Sequence, residues 1–573
     1  MESWSLRRPR WFSLGVALVG LLLLAACGGG DDSTAVSSDK MAPPEQQVLR
    51  LRLAGEPRTI DPHLANFAAE TSLMKPLFAG LFTYDANLNV VANAAREVPT
   101  VANGGISKDG VTYTIKLDKD AKWSDGKAVT AQDFVYSMRR ALDPKLGSRY
   151  VSFFYGVVGA QDYNTALGSK DAPKTPSDAA LAGLRDKVGV TAKDESTVVY
   201  QLKEPNPSFL SLLALWTAYP VRQDVVEKSG AKWTEAGNHV GNGPFVLREW
   251  AHNERIVFEP NPYWAGAKPN LTRVVINFIA DDAAAYAAYL NNELDVITVP
   301  AAQLKEVLTP GSARSTEVVP VPELVTFAMF MNNAVAPFNN PKVRQAFATA
   351  IDRSAMVDGL LQGAGHATTS WLPPGMPGYD AEIGKQYEFN PTKAKQLLAE
   401  AGFPNGQGLP KVTFLAVGVP PVQARMQFVE DQLKRNLGIE VSTEYVDPPT
   451  FGARYTQNQH QVAIVSWSAD WAYPDNWLPD LFATWGLNNH ANYKSAKFDD
   501  LVKKAAAETD DKRRLALYDE AHKLVLDEAA ISPLYNRQSY VLVKARVKNL
   551  VPTALDGEIK GDLSLAKAYI AAN

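Results

Sequence analysis

The sequence predicts a large mixed α/β protein, and three observations support this fold class. After an N-terminal export segment and a linker, about 525 of the 573 residues remain, enough for two or three domains with large cores. Patterns typical of half-buried strands and of amphipathic helices alternate along the chain. No short-period repeat and no low-complexity tract follows residue 47.

The first clear strand and helix patterns lie close together. In residues 111–117, VTYTIKL, apolar side chains alternate with polar ones, as in a strand with one buried face. Residues 130–144, TAQDFVYSMRRALDP, begin with Thr130 and Asp133 in the spacing of a capping box and end at Pro144. Because the apolar residues between them recur at helical intervals, this segment predicts an amphipathic helix.

Two later segments share another helix start signal. Residues 339–353, NNPKVRQAFATAIDR, place Asn340 at the cap position and a proline directly after it. Residues 390–403, NPTKAKQLLAEAGF, repeat this arrangement from Asn390 and add Gly402 at the end. Both segments therefore predict helices with defined ends.

The N-terminus predicts export and lipidation. A basic start is followed by an apolar run to Ala26 that is too short for a stable membrane span. Residues 24–27, LAAC, resemble the bacterial lipobox, and Cys27 is the only cysteine in the chain. We expect a signal peptide at 1–26, a membrane anchor through lipidated Cys27 and an extracytoplasmic location. A plain signal peptide is the alternative, and residues 27–47 predict a disordered tether.

Charge and composition exclude some partners. The formal net charge is −4, the isoelectric point is near 6.1, and Lys and Arg do not gather in one block. Binding to nucleic acid is therefore not expected. We expect a monomer.

The chain lacks the usual signatures of catalysis. The seven histidines are scattered, and neither a P-loop nor a GxSxG or GxGxxG motif is present. The carboxylate pairs Asp499-Asp500 and Asp510-Asp511 lie in charged segments typical of solvated helix faces. We expect no metal, no cofactor and no enzyme, although missing motifs alone do not exclude one.

One aromatic stretch places a carboxylate in apolar surroundings. Residues 465–477, VSWSADWAYPDNW, surround Asp470 with Trp467, Trp471, Tyr473 and Trp477. Removing a carboxylate from water costs several kcal/mol unless a partner compensates. Either the fold or a ligand must supply that partner.

Five stretches in register resemble one family, the oligopeptide-binding lipoproteins of bacterial ABC importers, which are solute-binding proteins of family 5. The resemblance runs from about Leu49 to Val543, and its stretches are WSDGKAVTAQDFVYSMRRALDP (123–144), VGNGPFVLREW (240–250), EPNPYW (259–264), FMNNAVAPFNNPKVRQAFATAIDR (330–353) and ANYKSAKFDDLV (491–502).

The resemblance implies a fold and a function. The fold would be the two-lobed periplasmic-binding-protein fold, class II type, with an additional inserted domain. Lobe I would comprise 48–78, 223–324 and 539–573, the inserted domain 79–222, and lobe II 325–538. The lobes would close over an oligopeptide by a hinge motion and deliver it to the permease subunits in the membrane.

The resemblance also assigns ligand-binding residues. Asp470 aligns with the acid that pairs with the α-ammonium of the peptide, so we expect ligands with a free amino terminus. Trp467 and Ser468 match positions whose backbone bonds the peptide main chain as an added strand does. A first-lobe strand would hold the other edge of the ligand, and Tyr150 matches a tyrosine of the cleft. The residues of that strand are Asn66, Phe67 and Ala68.

The sequence departs from the family at the carboxylate end of the ligand. Two arginines of the family align with Ile464 and Tyr455, and a histidine falls near Val422. We hypothesise that Arg454 and Arg537 form a rebuilt clamp for the carboxylate of the ligand. The protein would then accept ligands of less constrained length or with a differently placed carboxylate.

Other functions stay open at this point. The same fold could bind oligosaccharides, with the aromatic rings of Trp467, Trp471, Trp477 and Trp485 stacking on sugars, or, less readily, a nickel chelate. A surface-anchored hydrolase would turn over its ligand. An adhesive or chaperone-like lipoprotein would expose apolar patches and bind no stoichiometric small ligand.

Overall fold

The computed structural model describes residues 40–168, 172–486 and 488–572. The predicted signal peptide and Cys27 lie outside the described residues. A compact unit begins at Met41 and extends to the end of the chain. Among the described residues, no helix combines the length and the apolar character that a membrane span requires.

The folded part of the chain begins before the predicted end of the tether. Gln47 is buried, and its side-chain amide donates to the carbonyls of Ala42 at 2.7 Å and Ile570 at 2.8 Å. The Ile570 N–H donates back to the Gln47 amide oxygen at 2.8 Å. The predicted disorder is therefore wrong for residues 41–47, because partners 523 residues away in the chain hold them in place.

The first elements along the chain contribute to a small sheet and to a separate group of helices and strands. The fold opens with β1 (Val48–Leu53) and α1 (Ala68–Leu77). The separate group follows in chain order: β2 (Phe82–Tyr84), β3 (Val90–Ala92), β4 (Thr112–Lys116), α2 (Ala131–Ala141), α3 (Ala160–Asn164), α4 (Asp178–Asp186), β5 (Val190–Asp194), β6 (Thr197–Gln201) and α5 (Phe209–Leu213). Within it, β4, β6 and β5 form an antiparallel sheet in that order, and β2 pairs with β3.

The chain then returns to the first sheet. The next elements are α6 (Gln223–Ser229), β7 (Phe245–Ala251), β8 (Arg255–Pro260), β9 (Arg273–Phe278), α7 (Asp282–Leu290), β10 (Val296–Thr298) and α8 (Ala301–Leu308). The first sheet has the order β1-β9-β8-β7, with β1 and β9 parallel.

The remaining elements surround a second, larger sheet. They are β11 (Val318–Met331), α9 (Pro341–Thr349), α10 (Arg353–Ala355), β12 (Gly365–Ala367), α11 (Pro391–Glu400), β13 (Val412–Val417), α12 (Pro420–Leu437), β14 (Val441–Val446), α13 (Pro448–Thr456), β15 (Val462–Ser468), α14 (Pro479–Phe482), α15 (Ala496–Ala507), α16 (Asp511–Asp527), β16 (Ile531–Val543), β17 (Val547–Lys548) and β18 (Tyr569–Ile570). The large sheet has the order β10-β16-β11-β15-β13-β14, with β12 on β16.

The two longest strands of the large sheet, β11 and β16, pair with each other. β11 and β16 pair antiparallel from Val318 opposite Leu542 to Phe330 opposite Ile531. Their register shifts between Pro322 and Thr326, which marks a β-bulge in β11. A bulge bends a strand and redirects its side chains. These paired strands therefore carry a natural bend point in the middle of the large sheet.

The buried apolar side chains form several cores, and each core holds a set of helices and strands together. One core forms around the first sheet, one is built mainly from residues 79–218, and two lie on the large sheet. We name these cores after the predicted division of the chain into lobe I, the inserted domain and lobe II. Two details differ from the predicted boundaries: Tyr219 and Val221 pack in the core of lobe I, and Trp471 of lobe II packs in the core of the inserted domain. The fold is thus the expected two-lobed α/β architecture.

The predicted helix starts and the predicted strand are confirmed. Thr130 caps α2 through a hydrogen bond from its N–H to Asp133 at 2.8 Å. The side chains of Asn340 and Asn390 accept backbone N–H groups at the starts of α9 and α11, each at 3.0 Å. Gly402, just beyond α11, has a φ of +95°, which glycine adopts readily.

The carboxylate pairs have structural partners. Asp499 accepts hydrogen bonds from the N–H and hydroxyl of Thr484, and Asp510 caps α16 through the N–H of Arg513. Asp500 forms an ion pair with Lys504 one helical turn away. Their contacts are those of capping and surface residues.

Candidate functional site

One cavity lies where the inserted domain meets both lobes. It has a volume of about 280 Å³, at the low end of the range for ligand-binding cavities. Its wall combines residues from distant parts of the chain: the segment before α1, the segment around Trp216, the bulge of β11, the end of β15 and the chain near Asp556. Ligand sites occur preferentially at such domain boundaries.

The wall brings together seven of the nine residues that the resemblance predicted to contact ligand. They are Asn66, Phe67, Ala68, Tyr150, Ser468, Asp470 and Arg537. Trp467 and Arg454 are not among the residues that line the cavity. The roles of all nine toward a ligand stay predictions.

Asp470 lies on the cavity wall without a charged partner of opposite sign in the described part of the chain. Among the described residues, no lysine, arginine or histidine forms an ion pair with its carboxylate. Two neutral groups face it: the Asn476 amide donates to Oδ2 at 3.4 Å, and the Tyr150 hydroxyl lies close enough to act as a donor. Burial raises the pKa of Asp470 to about 6, and these two hydrogen bonds offset only part of that rise. The negative charge of Asp480 also acts on Asp470 and raises its pKa.

Asn476 holds the backbone at Asp470 as well. Its side chain is 2% exposed, and its amide oxygen accepts the Asp470 N–H at 2.9 Å. One buried amide therefore fixes both the main chain and the carboxylate of Asp470. The sequence analysis did not predict a role for Asn476, although this residue lies in the same aromatic stretch, six residues after Asp470.

The loop after Asp470 is docked on the inserted domain. The Trp471 ring meets Phe153 edge-to-face with centroids 5.2 Å apart, and its indole N–H donates to Asp475 at 2.7 Å. Burial raises the pKa of Asp475, while the hydrogen bond from Trp471 opposes that rise. The position of Asp470 thus depends on a contact between lobe II and the inserted domain.

The segment expected as a first-lobe strand is the start of a helix. Phe67 has an extended backbone and is the N-cap of α1, while Ala68 is the first helical residue. The N–H groups of Asn66 and Phe67 both donate to the Glu70 carboxylate, at 2.7 and 3.1 Å. This wall therefore offers side chains and carbonyls to a ligand, because Glu70 already occupies these two N–H groups.

Asn66 leaves one polar atom without a partner. Its amide nitrogen donates to the Leu64 carbonyl at 2.9 Å. Its buried amide oxygen has no hydrogen-bond partner among the described residues. Buried polar atoms are nearly always satisfied, so this acceptor on the cavity wall is available to a donor from a ligand.

Strand β15 presents an unpaired edge next to the cavity. Its residues Trp467 and Ser468 pair with Thr326 and Val325 of β11 on one side. On the other side, its pairing with β13 is confined to Val462, at the far end of the strand. The end of β15 at Trp467 and Ser468 therefore has one edge that no described strand covers, as strand addition requires.

Three further wall residues were not predicted. Glu323 lies in the bulge of β11 and pairs with Arg537, while Lys560 approaches it from lobe I. Trp216 also lines the cavity, and its ring packs on Tyr150 with centroids 4.9 Å apart. No sequence signal marks these residues, because their contacts join segments up to hundreds of residues apart.

The hypothesis of a clamp containing Arg454 does not fit the structure. Arg454 lies in α13 and forms a bidentate ion pair with Glu444, at 2.6 and 3.1 Å. It is absent from the cavity wall. Its charge already has a partner on the adjacent strand β14, which the alignment could not reveal.

The four tryptophans considered for sugar stacking do not line the cavity. Trp477 is fully buried in the core of lobe II, and Trp471 in that of the inserted domain. Trp485 is 47% exposed, with the Lys503 ammonium 4.5 Å from its ring centroid. The four tryptophans on which the oligosaccharide alternative was based therefore provide no platform on the described cavity wall.

Comparison with known proteins identifies similar chains. The family described as bacterial extracellular solute-binding proteins, family 5 Middle, matches residues 96–489. The periplasmic oligopeptide-binding protein OppA of Escherichia coli K12 is 32% identical over 509 residues, which cover 87% of this chain and 89% of that protein.

Solved structures show the same similarity. The unliganded open form of MppA, a periplasmic murein tripeptide binding protein, has a TM-score of 0.79 at 28% identity, covering 94% of this chain and 99% of that one. OppA of Haemophilus influenzae in complex with the peptide RPPGFSPFR has a TM-score of 0.66 at 26% identity, covering 93% and 100%. This chain is thus more similar to an unliganded open form than to that peptide complex.

Proposed function

Because this chain belongs to the bacterial extracellular solute-binding proteins of family 5, we propose that it binds oligopeptides with a free amino terminus in the cavity between its lobes. It would deliver them to the membrane subunits of an ABC importer. The relatives named above as oligopeptide-binding and murein tripeptide binding proteins support this ligand class.

Asp470 is the observation that carries the proposal. A carboxylate in a cavity, with a raised pKa and no protein cation among the described residues, is prepared for a cation that arrives from outside. The α-ammonium of a peptide has the right charge and can donate three hydrogen bonds. A ligand without this group leaves a buried carboxylate unpaired, a penalty of about 3–5 kcal/mol.

The main chain of the peptide has a place beside Asp470. We propose that it lies along the uncovered edge of β15 at Trp467 and Ser468 and exchanges backbone hydrogen bonds there. Backbone bonding gives affinity without reading side chains. Asn66, Phe67 and Ala68 would face the ligand from lobe I, and Tyr150 from the inserted domain.

An extracytoplasmic location follows from the family of the chain. We further propose that lipidated Cys27 anchors the protein to the membrane and that the protein acts as a monomer. The relatives named above are binding proteins, and we propose that this protein likewise transports its ligand without chemical change.

A thermal-shift titration tests the proposed ligand class. Ligand-stripped protein is mixed with a library of tri- to pentapeptides and, separately, with the same library acetylated at the amino terminus. A ligand at 100 times its dissociation constant adds about 2.7 kcal/mol of stability, so the thermal midpoint should rise by a few degrees with the free-amine library.

The acetylated library is the control, and it should leave the midpoint unchanged. Equal stabilisation by both libraries would remove the role of the ammonium group. No stabilisation by either library would overturn peptide binding itself.

A further inference from the structure

One helical turn of the inserted domain meets the loop of lobe II that carries Asp470. This turn spans Tyr150–Phe154. The rings of Tyr150 and Phe153 pack edge-to-face within it, with centroids 5.5 Å apart. Tyr150 lines the cavity, whereas Phe153 is not among the described residues of its wall. The turn therefore connects the cavity wall with the apolar core of the inserted domain, on which Phe153 packs.

Tyr150 faces the carboxylate of Asp470. Burial and the negative charge of Asp470 raise the pKa of Tyr150, so the phenol stays protonated at neutral pH and can donate to that carboxylate. On its other side the Tyr150 ring packs on Trp216, with centroids 4.9 Å apart. The indole N–H of Trp216 donates to the Ala65 carbonyl of lobe I at 3.1 Å. The phenol thus has a fixed position beside Asp470.

Phe153 also contacts Trp471, the residue directly after Asp470. The two rings meet edge-to-face with centroids 5.2 Å apart. Trp471 is 7% exposed and packs in the core of the inserted domain, although it belongs to lobe II. It is not among the described residues of the cavity wall. Trp471 therefore anchors the loop to the inserted domain without lining the cavity.

Side-chain hydrogen bonds close this loop. The Trp471 indole N–H donates to Asp475 at 2.7 Å, and the Asp470 N–H donates to the Asn476 amide oxygen at 2.9 Å. A single helical turn, Pro474–Asn476, completes the loop. Because these bonds join residues 470 and 471 to residues 475 and 476, a displacement of the Trp471 ring is expected to move Asp470 with it.

The large sheet does not fix Asp470 by itself. Strand β15 ends at Ser468, and its backbone bonding to β11 continues one residue further, to Ala469. Beyond Ala469, the hydrogen-bond partners of Asp470 in the described chain are Asn476 and Tyr150. The position of the carboxylate therefore depends on the loop and on the inserted domain.

We propose that Phe153 and Trp471 are positioning residues, which hold the carboxylate of Asp470 and the phenol of Tyr150 at the spacing that a free α-ammonium group requires. The inserted domain thus contributes to ligand specificity through one helical turn. The inference rests on the proposed function, in which Asp470 binds that ammonium group, and adds to it two residues that lie off the described cavity wall.

The effect on specificity follows from the hydrogen bonds of the two ligands. An ammonium group has three donors, and the Asp470 carboxylate and the Tyr150 hydroxyl oxygen can accept two of them. An acetylated amine has one N–H and no charge, so it leaves the buried carboxylate unpaired. When the loop loses its anchor, the carboxylate moves and water reaches it, which lowers the penalty for the acetylated peptide. The anchor therefore controls the ratio of the two affinities.

Calorimetric titrations with Ala-Ala-Ala and its N-acetylated form test the anchor. The wild-type protein should prefer the free amine by about 100-fold or more. In Phe153→Ala this ratio of affinities should fall about ten-fold or more, because the Trp471 ring loses its partner. Phe153→Tyr keeps the ring, and it should retain the wild-type ratio.

Two further variants separate positioning from stability. Trp471→Phe keeps a ring beside Phe153 but removes the donor to Asp475, and its ratio should also fall. Phe134→Leu is the matched control, because Phe134 lies on α2 in the same core and is not among the described residues of the cavity wall. It should lower the thermal midpoint and leave the ratio unchanged. The ratio compares two ligands on one sample, so a loss of folded protein does not alter it.

Each outcome decides the inference. A lower ratio in Phe153→Ala or Trp471→Phe, with the wild-type ratio in Phe153→Tyr and Phe134→Leu, supports the anchor. An unchanged ratio in both Phe153→Ala and Trp471→Phe would overturn it while the proposed function stands. An equal fall in Phe153→Tyr or Phe134→Leu would also overturn it, since the effect would then not depend on the ring contact. A wild-type protein that binds both peptides equally, or neither, would overturn the proposed function and the anchor with it.

Discussion

Asp470 is the residue on which the proposed function depends most. Its carboxylate faces the Asn476 amide and the Tyr150 phenol, and among the described residues it forms no ion pair with a cation. Burial raises its pKa to about 6. Its carboxyl group therefore changes between the ionised and the protonated form in mildly acidic solution. Any ligand that binds as a cation therefore competes with a proton for the same site.

The first prediction is a dependence of peptide affinity on pH. An ammonium ion binds the ionised form of Asp470, and below about pH 6 the free protein carries this acid mostly protonated. Lowering the pH from about 7.5 to about 5 should weaken binding about ten-fold, because a proton must first leave. Isothermal titration calorimetry across this range measures the change.

Asp470→Asn is the control for the pH profile, and its affinity should stay nearly flat. The pKa of the buried Asp562, beside Lys75 of the cavity wall, is raised to about 7 by burial, so the variant also shows any contribution from that acid. An unchanged wild-type affinity between the two pH values would contradict a role for Asp470 in binding cations.

The sequence predicted the residues of the site unequally. Asp470 was found because a carboxylate among tryptophans is conspicuous locally and matches a family motif. Glu323 and Lys560 were missed because their pairing depends on a bulge and on strands that meet only in the fold. Arg454 was misplaced because alignment gives an approximate position but no direction for a side chain.

At the scale of elements, local signals predicted the helices well. The caps at Thr130, Asn340 and Asn390 are short-range hydrogen bonds, which a sequence of a few residues specifies completely. The segment from Asn66 to Ala68 was expected as a strand. It is instead a helix start, because Glu70 gathers the N–H groups that a strand would offer to a neighbour.

The second prediction concerns Glu70, which is 1% exposed and caps α1 at the cavity wall. Replacing it by alanine removes the acceptor of two backbone N–H groups and should cost about 1–2 kcal/mol of stability. Because Asn66 and Phe67 then lose their fixed position, peptide affinity should also fall several-fold. Thermal unfolding and calorimetric titration measure the two effects.

Asn390→Ala provides a matched comparison. It removes a cap of the same kind from α11, whose residues do not line the cavity. We expect a loss of stability comparable to that in Glu70→Ala with unchanged affinity. If both variants lose affinity to the same extent, the position of the segment before α1 does not matter for binding.

At the scale of the whole molecule, paired strands β11 and β16 connect the lobes beside the cavity. The bulge between Pro322 and Thr326 lies at this connection and carries Glu323. The TM-score is 0.79 with the unliganded open form of the murein tripeptide binding protein and 0.66 with the peptide complex of the Haemophilus influenzae protein. Closure about these strands would bring both walls onto a ligand.

The third prediction is that ligand compacts the molecule. Small-angle X-ray scattering of the ligand-stripped protein should give a smaller radius of gyration after saturation with a peptide that binds. The acetylated form of the same peptide should leave the radius unchanged at equal concentration. A radius that stays constant under calorimetrically verified saturation would exclude closure of the lobes.

The fold as a whole was predictable because the resemblance extends over nearly the entire chain. What the sequence could not supply were contacts between distant segments. Gln47 belongs to the folded unit through Ile570, and Trp471 packs in the core of another domain. Both contacts depend on the tertiary arrangement, which composition and periodicity do not encode locally.

The most direct measurement combines one change in the ligand with one in the protein. Calorimetry determines the affinities of a free-amine tripeptide and its N-acetylated form for the wild-type protein and for Asp470→Asn. The wild type should prefer the free amine by about 100-fold or more, and the variant should bind both forms weakly and equally. If Asp470→Asn keeps the full preference, the ammonium group binds elsewhere and Asp470 is not its receptor.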